Sequence, residues 1–165
     1  MNKLLILIVF VSFNSFGQNI EWSTERKLSW QDFKATPHDT SNVIAVTFCG
    51  ISFETLKVSF WNGKGTYQVK CIFYPDSSWY LSNKVDSLTL LHEQTHFYIA
   101  AVYTRKIQGE LDKERLFPNH AKKLYETLML EYESMQRKYD LQTNHGILPI
   151  EQKRWTQKIL TQLND

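Results

Sequence analysis

Cysteine is scarce in this chain: Cys49 and Cys71 are the only two among 165 residues. Two cysteines permit a disulfide without demanding one, and with no partners nearby they cannot form a cysteine-type zinc site. An excess of charge is also missing. Nineteen basic residues face seventeen acidic ones, a net of +2, and the basic ones are scattered rather than gathered in a stripe. That balance speaks against a nucleic-acid binder and gives membrane-surface binding no support. Long hydrophobic runs are absent too. Leu4 to Phe13 spans ten residues, against about 20 for a transmembrane helix. Repeats, low-complexity tracts and internal linkers are lacking, and the length suits one domain.

What is present begins with a secretory signature in residues 1–17, MNKLLILIVFVSFNSFG. Lys3 supplies the positive start, the apolar run follows, and Ser15 and Gly17 are the small residues of a cleavage site. No cysteine follows the run, which argues against a lipid anchor; an uncleaved N-terminal anchor is the alternative. The expected mature chain starts near Gln18, is exported to the periplasm or beyond, and is not stably inserted in a membrane. Removing 17 of 165 residues leaves 148, enough to bury roughly 68–70% of the unfolded surface. Residues 18–165 therefore form one domain. In an oxidising compartment Cys49 and Cys71 are open to a disulfide or to two buried thiols. Five Trp, eight Tyr and ten Phe suit a packed core with an aromatic-lined cleft.

The pattern divides into a β-rich first half and a helical second half. After a leading segment, Trp22 to Phe33, the stretch 34–42 is a polar loop. Val43 to Phe60 reads as extended chain, with Gly50 a bulge or break. Asn62-Gly63 is a hairpin signal. Tyr67, Val69, Cys71 and Phe73 then alternate with Thr66, Gln68, Lys70 and Ile72, as in a half-buried strand that Pro75 ends. Ser82 or Asn83 caps a helix over about Lys84 to Asp112, whose wide apolar stripe makes it central. A second helix covers about His120 to Asp140, Asn144-His145-Gly146 turns the chain, and a third helix starts at Pro149 or Ile150. Strands followed by helices predict an α+β domain: an antiparallel sheet packed on a central helix and two further helices.

Inside the central helix stands His92-Glu93-Gln94-Thr95-His96, the spelling H-E-x-x-H. Histidines four apart lie about 5–6 Å from each other on one helix face, and both reach one Zn²⁺ at about 2.0–2.1 Å. Glu93, one step round the helix, can touch a water on the metal without binding the metal itself. That arrangement suits hydrolysis: the ion acidifies the water and the carboxylate takes its proton. A chance spelling arises in about one such chain in a hundred. The plain alternative, a buried helix that happens to carry three polar groups, leaves all three in need of partners.

A catalytic zinc needs a third protein ligand. The longer pattern with glycine and a third histidine is excluded, because position 99 is Ile and position 102 is Val. Candidates of the right chemistry are His120, His145 and the acids Glu110, Glu114, Glu126, Glu131 and Glu133. The acids sit among lysines and arginines, as on a solvated helix face. His145 stands in a turn, with Asp140 and Thr143 near enough to hold its ring; an ordinary surface histidine fits the spacing equally well.

Three segments together resemble a bacterial family of unknown function described as predicted secreted zinc-dependent proteases. "RKLSWQDFKATP" (26–37) is similar to the family's opening, "HEQTHFYIAAVYTRKI" (92–107) to its H-E-Q-x-H-F helix, and "YDLQTNHGILPIEQKRW" (139–155) to its Y-D-x-x-T-x-H-G motif with a trailing Q and W. Tyr98 departs from the acidic residue expected there. The resemblance implies a zincin-like fold in a Gram-negative exporter, one zinc per chain on His92, His96 and His145, and Glu93 as base. Asp140, Thr143 and Gly146 become support for His145. It also implies a peptide or protein substrate; the alternative is a non-catalytic exported binding domain with a structural zinc. Residues 66–74 are open to lining a substrate as an edge strand or to being an ordinary sheet strand, and Tyr139, Tyr103, His120 and Arg154 are chemically able to steady an oxyanion. Trp79, Tyr80 and Trp155 are open to the cleft or to the core.

Overall fold

Alternation in residues 65–73 produces the strand around which the domain is assembled. In the computed structural model, which describes residues 18–37 and 43–164, β4 (Gly65–Phe73) buries Tyr67, Val69, Cys71 and Phe73 while Thr66 and Gln68 face outward. The expected signal segment, 1–17, lies outside the described residues. β3 (Cys49–Val58) runs antiparallel to β4, from Cys49 opposite Phe73 to Val58 opposite Gly65. The hairpin forms where Asn62-Gly63 predicts it. Gly63 takes φ +68, and the Asn62 side chain accepts from the Lys64 amide at 3.0 Å. The expected irregularity at Gly50 is corrected: Gly50 pairs regularly with Ile72, and the bulge falls between Thr55 and Lys57. The chain breaks before β3 instead, where Thr47-Phe48 separates it from β2 (Ala45–Val46).

β4 has no edge to offer a substrate. β1 (Ile20–Glu21) pairs with its end, so the sheet order is β1-β4-β3. Next along that edge, Trp22 N–H donates to the Cys71 carbonyl at 2.9 Å. The Gln108 side chain then closes the rest, accepting from Val69 N–H at 3.0 Å and donating to the Tyr67 carbonyl at 3.2 Å. With Trp22 and Gln108 occupying that edge, residues 66–74 take the second of the two readings, an ordinary sheet strand. A second, two-stranded sheet pairs β2 with β5 (Trp79–Tyr80).

α1 (Ser87–Asp112) lies across the buried face of β4, with Phe97 packing on Phe73 at 5.9 Å between ring centres. Its start is three residues later than expected. Residues 82–84 form a turn, and the cap is Asp86, whose carboxylate accepts from the Thr89 amide at 2.8 Å. Phe97, Ile99, Ala100, Ala101 and Ile107 are almost wholly buried, because the sheet covers one side and α2 (Pro118–Thr143) and α3 (Pro149–Asn164) cover the others. Pro118 opens α2 at a position where its missing N–H costs nothing. Among the described residues no helix is long and apolar enough to cross a membrane.

Candidate metal centre

Mid-way along α1, His92 and His96 project toward the end of α2 and meet Asp140. The two Nε2 atoms are 3.1 Å apart. Asp140 Oδ1 stands 3.2 Å from the first and 2.9 Å from the second. Three donor atoms thus form a nearly equilateral triangle. An ion bound tetrahedrally at 2.0–2.1 Å spaces its ligand atoms by about 3.3 Å, so the triangle is slightly contracted around such a position. These are the residues among those described whose ligand atoms group for a metal.

The outer ring nitrogens decide what the triangle is made of. His92 Nδ1 lies 3.0 Å from Gln152 Oε1, and His96 Nδ1 lies 2.7 Å from Gln136 Oε1. Both amides are fixed in orientation by other bonds. Gln136 Nε2 donates to the His96 carbonyl and to the Tyr132 hydroxyl, each at 3.0 Å. Gln152 Nε2 donates to the Thr156 hydroxyl at 3.1 Å, while Tyr139 O–H donates to Gln152 Oε1 at 2.7 Å. Amide oxygens therefore face both rings, the protons sit on Nδ1, and each Nε2 presents a lone pair. Asp140 Oδ1 is buried without a hydrogen-bond donor. Three lone pairs converging at about 3 Å need a cation between them.

A proton can do part of that work. Burial pulls the His96 imidazole downward, but Asp140, Glu93 and Gln136 outweigh it and the net shift is upward. Burial pushes the Asp140 carboxyl up, yet the two histidines beside it hold it well below the usual carboxylate range. Both shifts favour a positive charge between the imidazoles and the carboxylate, which a proton or a divalent ion supplies.

The segment Tyr139–Trp155 explains why His92 stays in place. Tyr139 stacks on its ring, with centres 4.8 Å apart and planes 19° from parallel, and meets His96 edge-on. Burial pushes the Tyr139 phenol well up, so it remains a neutral donor. Trp155 backs Tyr139 at 5.5 Å. On the other side of His92 the chain turns through three left-handed residues: Asn144 (φ 48), His145 (φ 53) and Gly146 (φ 80). A Cβ on Gly146 would fall 2.9 Å from His92 Cγ, so position 146 needs glycine for both its φ and the contact. Thr143 ties the turn, donating to the Tyr139 carbonyl at 2.8 Å and accepting from the Gly146 amide at 3.2 Å.

His145 itself stands outside the triangle. Its side chain is 71% exposed, and its Nδ1 is 3.9 Å from Asp140 Oδ1. The left-handed turn directs it to the rim, while Asp140, still within the last turn of α2, points inward. The structure thus brings together His92, His96 and Asp140, and gives Asp140 the place expected for His145. The other candidates lie elsewhere. Glu110, Glu126, Glu131 and Glu133 pair with Lys113, Lys122, Lys106 and Arg137, and Glu114 is exposed. His120 packs on Phe117 at the far end of α2. Arg154 pairs with Glu151, Tyr103 packs on Tyr132, and Tyr139 is closed behind His92, so none of the expected oxyanion partners faces the site. Trp79 and Trp155 are core residues.

Cys49 and Cys71 are free thiols. Each approaches a carbonyl of α1, Cys49 that of His96 at 3.7 Å and Cys71 that of Phe97 at 3.8 Å. Burial pushes the Cys49 thiol up to about 12.

The triangle opens on a cavity of about 640 Å³, within the range of ligand sites. The consecutive stretch Val43–Thr47 lines it, as do His145 and Ile147. Glu93 also lines it. This carboxylate is 5% exposed, and among the described residues it has no hydrogen-bond or ion-pair partner. Compared with known protein families, characterised proteins and solved structures, the chain matches none.

Proposed function

We propose that the protein is an exported zinc-dependent peptidase in which His92, His96 and Asp140 hold the metal and Glu93 is the general base. One observation carries this reading: the carboxylate oxygen of Asp140, buried and without a donor, meets two imidazole lone pairs whose protons are committed to glutamines. Two imidazoles and a carboxylate are the donor chemistry of hydrolytic zinc sites. When bound, the ion supplies Lewis acidity, lowering the pKa of a water toward about 7 and polarising a carbonyl.

The chain's own residues do the rest. Glu93 lines the cavity without a partner and is free to take the proton of the attacking water. It then returns that proton to the departing amine, so that one C–N bond breaks and an acid and an amine form. Gln136 and Gln152 keep both ring protons on Nδ1 throughout. His145, at the rim, is the side chain we assign to the carbonyl oxygen as it gains charge.

β2 is the strand we assign to the substrate main chain. Leu81 N–H donates to the Ile44 carbonyl at 2.8 Å, and Ala45 faces Tyr80 across the pair. In an antiparallel ladder this makes Ala45 a non-hydrogen-bonded position, so its N–H and C=O point away from β5. Among the described residues no strand pairs with that edge. Export rests on residues 1–17, and the activity on the H-E-x-x-H spacing and the grouped donor atoms. A purely structural zinc would leave the cavity and the unpartnered Glu93 without a use.

The test joins metal and turnover. Purified protein is expected to hold one zinc per chain and to cleave members of a peptide library. Glu93→Gln is expected to keep the zinc and lose cleavage by about 100-fold or more. Wild-type protein without metal, or undiminished turnover in the variant, would reject the reading.

A further inference from the structure

We infer that the cavity accepts an internal stretch of polypeptide with an apolar side chain beside the cleaved bond, which makes the protein an endopeptidase selective for aliphatic and aromatic residues. This rests on the peptidase reading above and adds the substrate class to it.

The walls carry the argument. Outside the metal donors and Glu93, the cavity is faced by Val43, Ile44, Ala45, Val46 and Ile147, with Thr47 and Thr89 the uncharged polar exceptions apart from His145. No lysine or arginine lines it among the described residues. An acidic side chain entering there meets two carboxylates and, apart from the metal that the scissile carbonyl must reach, no fixed cation among the described residues. A basic one would have to compete for carboxylates already committed to the metal and to proton transfer. Desolvating either charge without a partner is unfavourable, whereas an apolar side chain gains by burial.

The same inventory bears on which bond is cut. A peptidase acting on a C-terminal residue needs a fixed cation for the free carboxylate, and none of the lining lysine or arginine type is present. The wall formed by Val43–Thr47 is five residues long, about 16 Å of extended chain. That length matches several residues of a substrate main chain. The lips are apolar and exposed: Val43 by 43% and Ile147 by 69%, with Leu148 and Ile150 following at 44% and 69%. Such a strip in water beside a cavity marks a binding surface.

Peptides blocked at both ends, with Leu, Phe, Lys or Asp flanking the central bond, provide the test. Cleavage by the zinc-loaded protein is followed by mass spectrometry, and affinity for Glu93→Gln by fluorescence anisotropy, which needs no turnover. The Leu and Phe peptides are expected to be bound and cut about tenfold better or more. Ile147→Asp, a change at an exposed position, is expected to narrow the gap for the Lys peptide at unchanged zinc content. Equal handling of all four peptides, or cleavage confined to peptides with a free terminus, would overturn the inference while leaving the peptidase reading intact. No cleavage of any peptide would remove that reading. The binding series would then decide the cavity's preference alone, with equal affinities counting against it.

Discussion

His92 and His96 offer the same atom to the same point, yet two different parts of the molecule hold them. His92 is gripped from the C-terminal side. Tyr139 covers one face, Gly146 crowds the other, and Gln152 of α3 fixes its outer nitrogen. His96 is held toward the sheet. Gln136 binds its outer nitrogen and its carbonyl, the Tyr132 hydroxyl joins Gln136, and that hydroxyl also donates to the Cys49 carbonyl on β3 at 3.3 Å. One grip is steric and local to a turn; the other is a hydrogen-bond chain reaching the first sheet. Asp140 is the common element, since it closes both sides of the triangle.

Of changes to the two grips, the largest effect is expected from breaking the steric one. Gly146→Ala places a Cβ against His92 and forces a residue with a side chain into φ +80, a cost of about 1–3 kcal/mol. Zinc affinity should fall by about 100-fold and the unfolding midpoint should drop; competition with a chelator and a denaturant titration check the two together. Loss of stability with unchanged zinc affinity would show that His92 does not depend on the turn.

Next come the two glutamines, which make the comparison quantitative. Gln152→Ala and Gln136→Ala each remove one acceptor from a ligand's Nδ1–H, and such losses weaken metal binding by about 10–100-fold. Gln136→Ala also frees the His96 carbonyl and the Tyr132 hydroxyl. Gln152→Ala frees the buried Tyr139 and Thr156 hydroxyls at a wholly buried position, so it should cost more folding stability at similar loss of zinc. Chelator competition on both variants reads the zinc and a denaturant titration the stability, and a larger stability loss in Gln136→Ala than in Gln152→Ala would contradict this ranking.

The smallest effect concerns Cys49 at the sheet end of that chain. Its thiol is pushed up to about 12 by burial, whereas an unfolded thiol ionises near about 8.5. The folded pKa is the higher one. Its contribution to stability is therefore complete below about pH 8.5 and is lost as pH rises from there to about 12. Native protein should resist alkylation at pH 8 and react fully once unfolded. Wild type should also lose more stability than Cys49→Ala between pH 8 and 10, as read from urea midpoints. Rapid alkylation of the native protein would place the thiol in solvent.

How much of this was legible follows from the kind of information each residue carries. The shared face of His92 and His96 was readable because it depends on spacing along one helix, and the strand at 65–73 because burial alternates along it. The motif Tyr139–Gly146 was readable as a unit, but its roles were not. Asp140 and His145 are both polar, close in sequence and of ligand type. Only the left-handed turn after Thr143 decides that the acid faces inward and the histidine outward. A signal was available: Gln136 and Asp140 are four apart on α2, as His92 and His96 are on α1, and Tyr132, Tyr139 and Thr143 mark the buried face they border. The short strands β1 and β2 carry no periodicity of their own, since two residues cannot show a pattern. The helix start was misplaced because Ser82 and Asn83 cap well in general, whereas Asp86 has the threonine three residues on that completes a reciprocal cap.

The central claim is that Asp140, with His92 and His96, holds the metal. Its most direct test is the zinc content and affinity of Asp140→Asn beside those of His145→Ala. The account predicts that Asp140→Asn lowers affinity by more than about 100-fold, since even a supporting residue costs about 10–100-fold. For His145→Ala it predicts a change of about twofold, as for an exposed side chain. Full zinc in Asp140→Asn, with loss in His145→Ala, would contradict it.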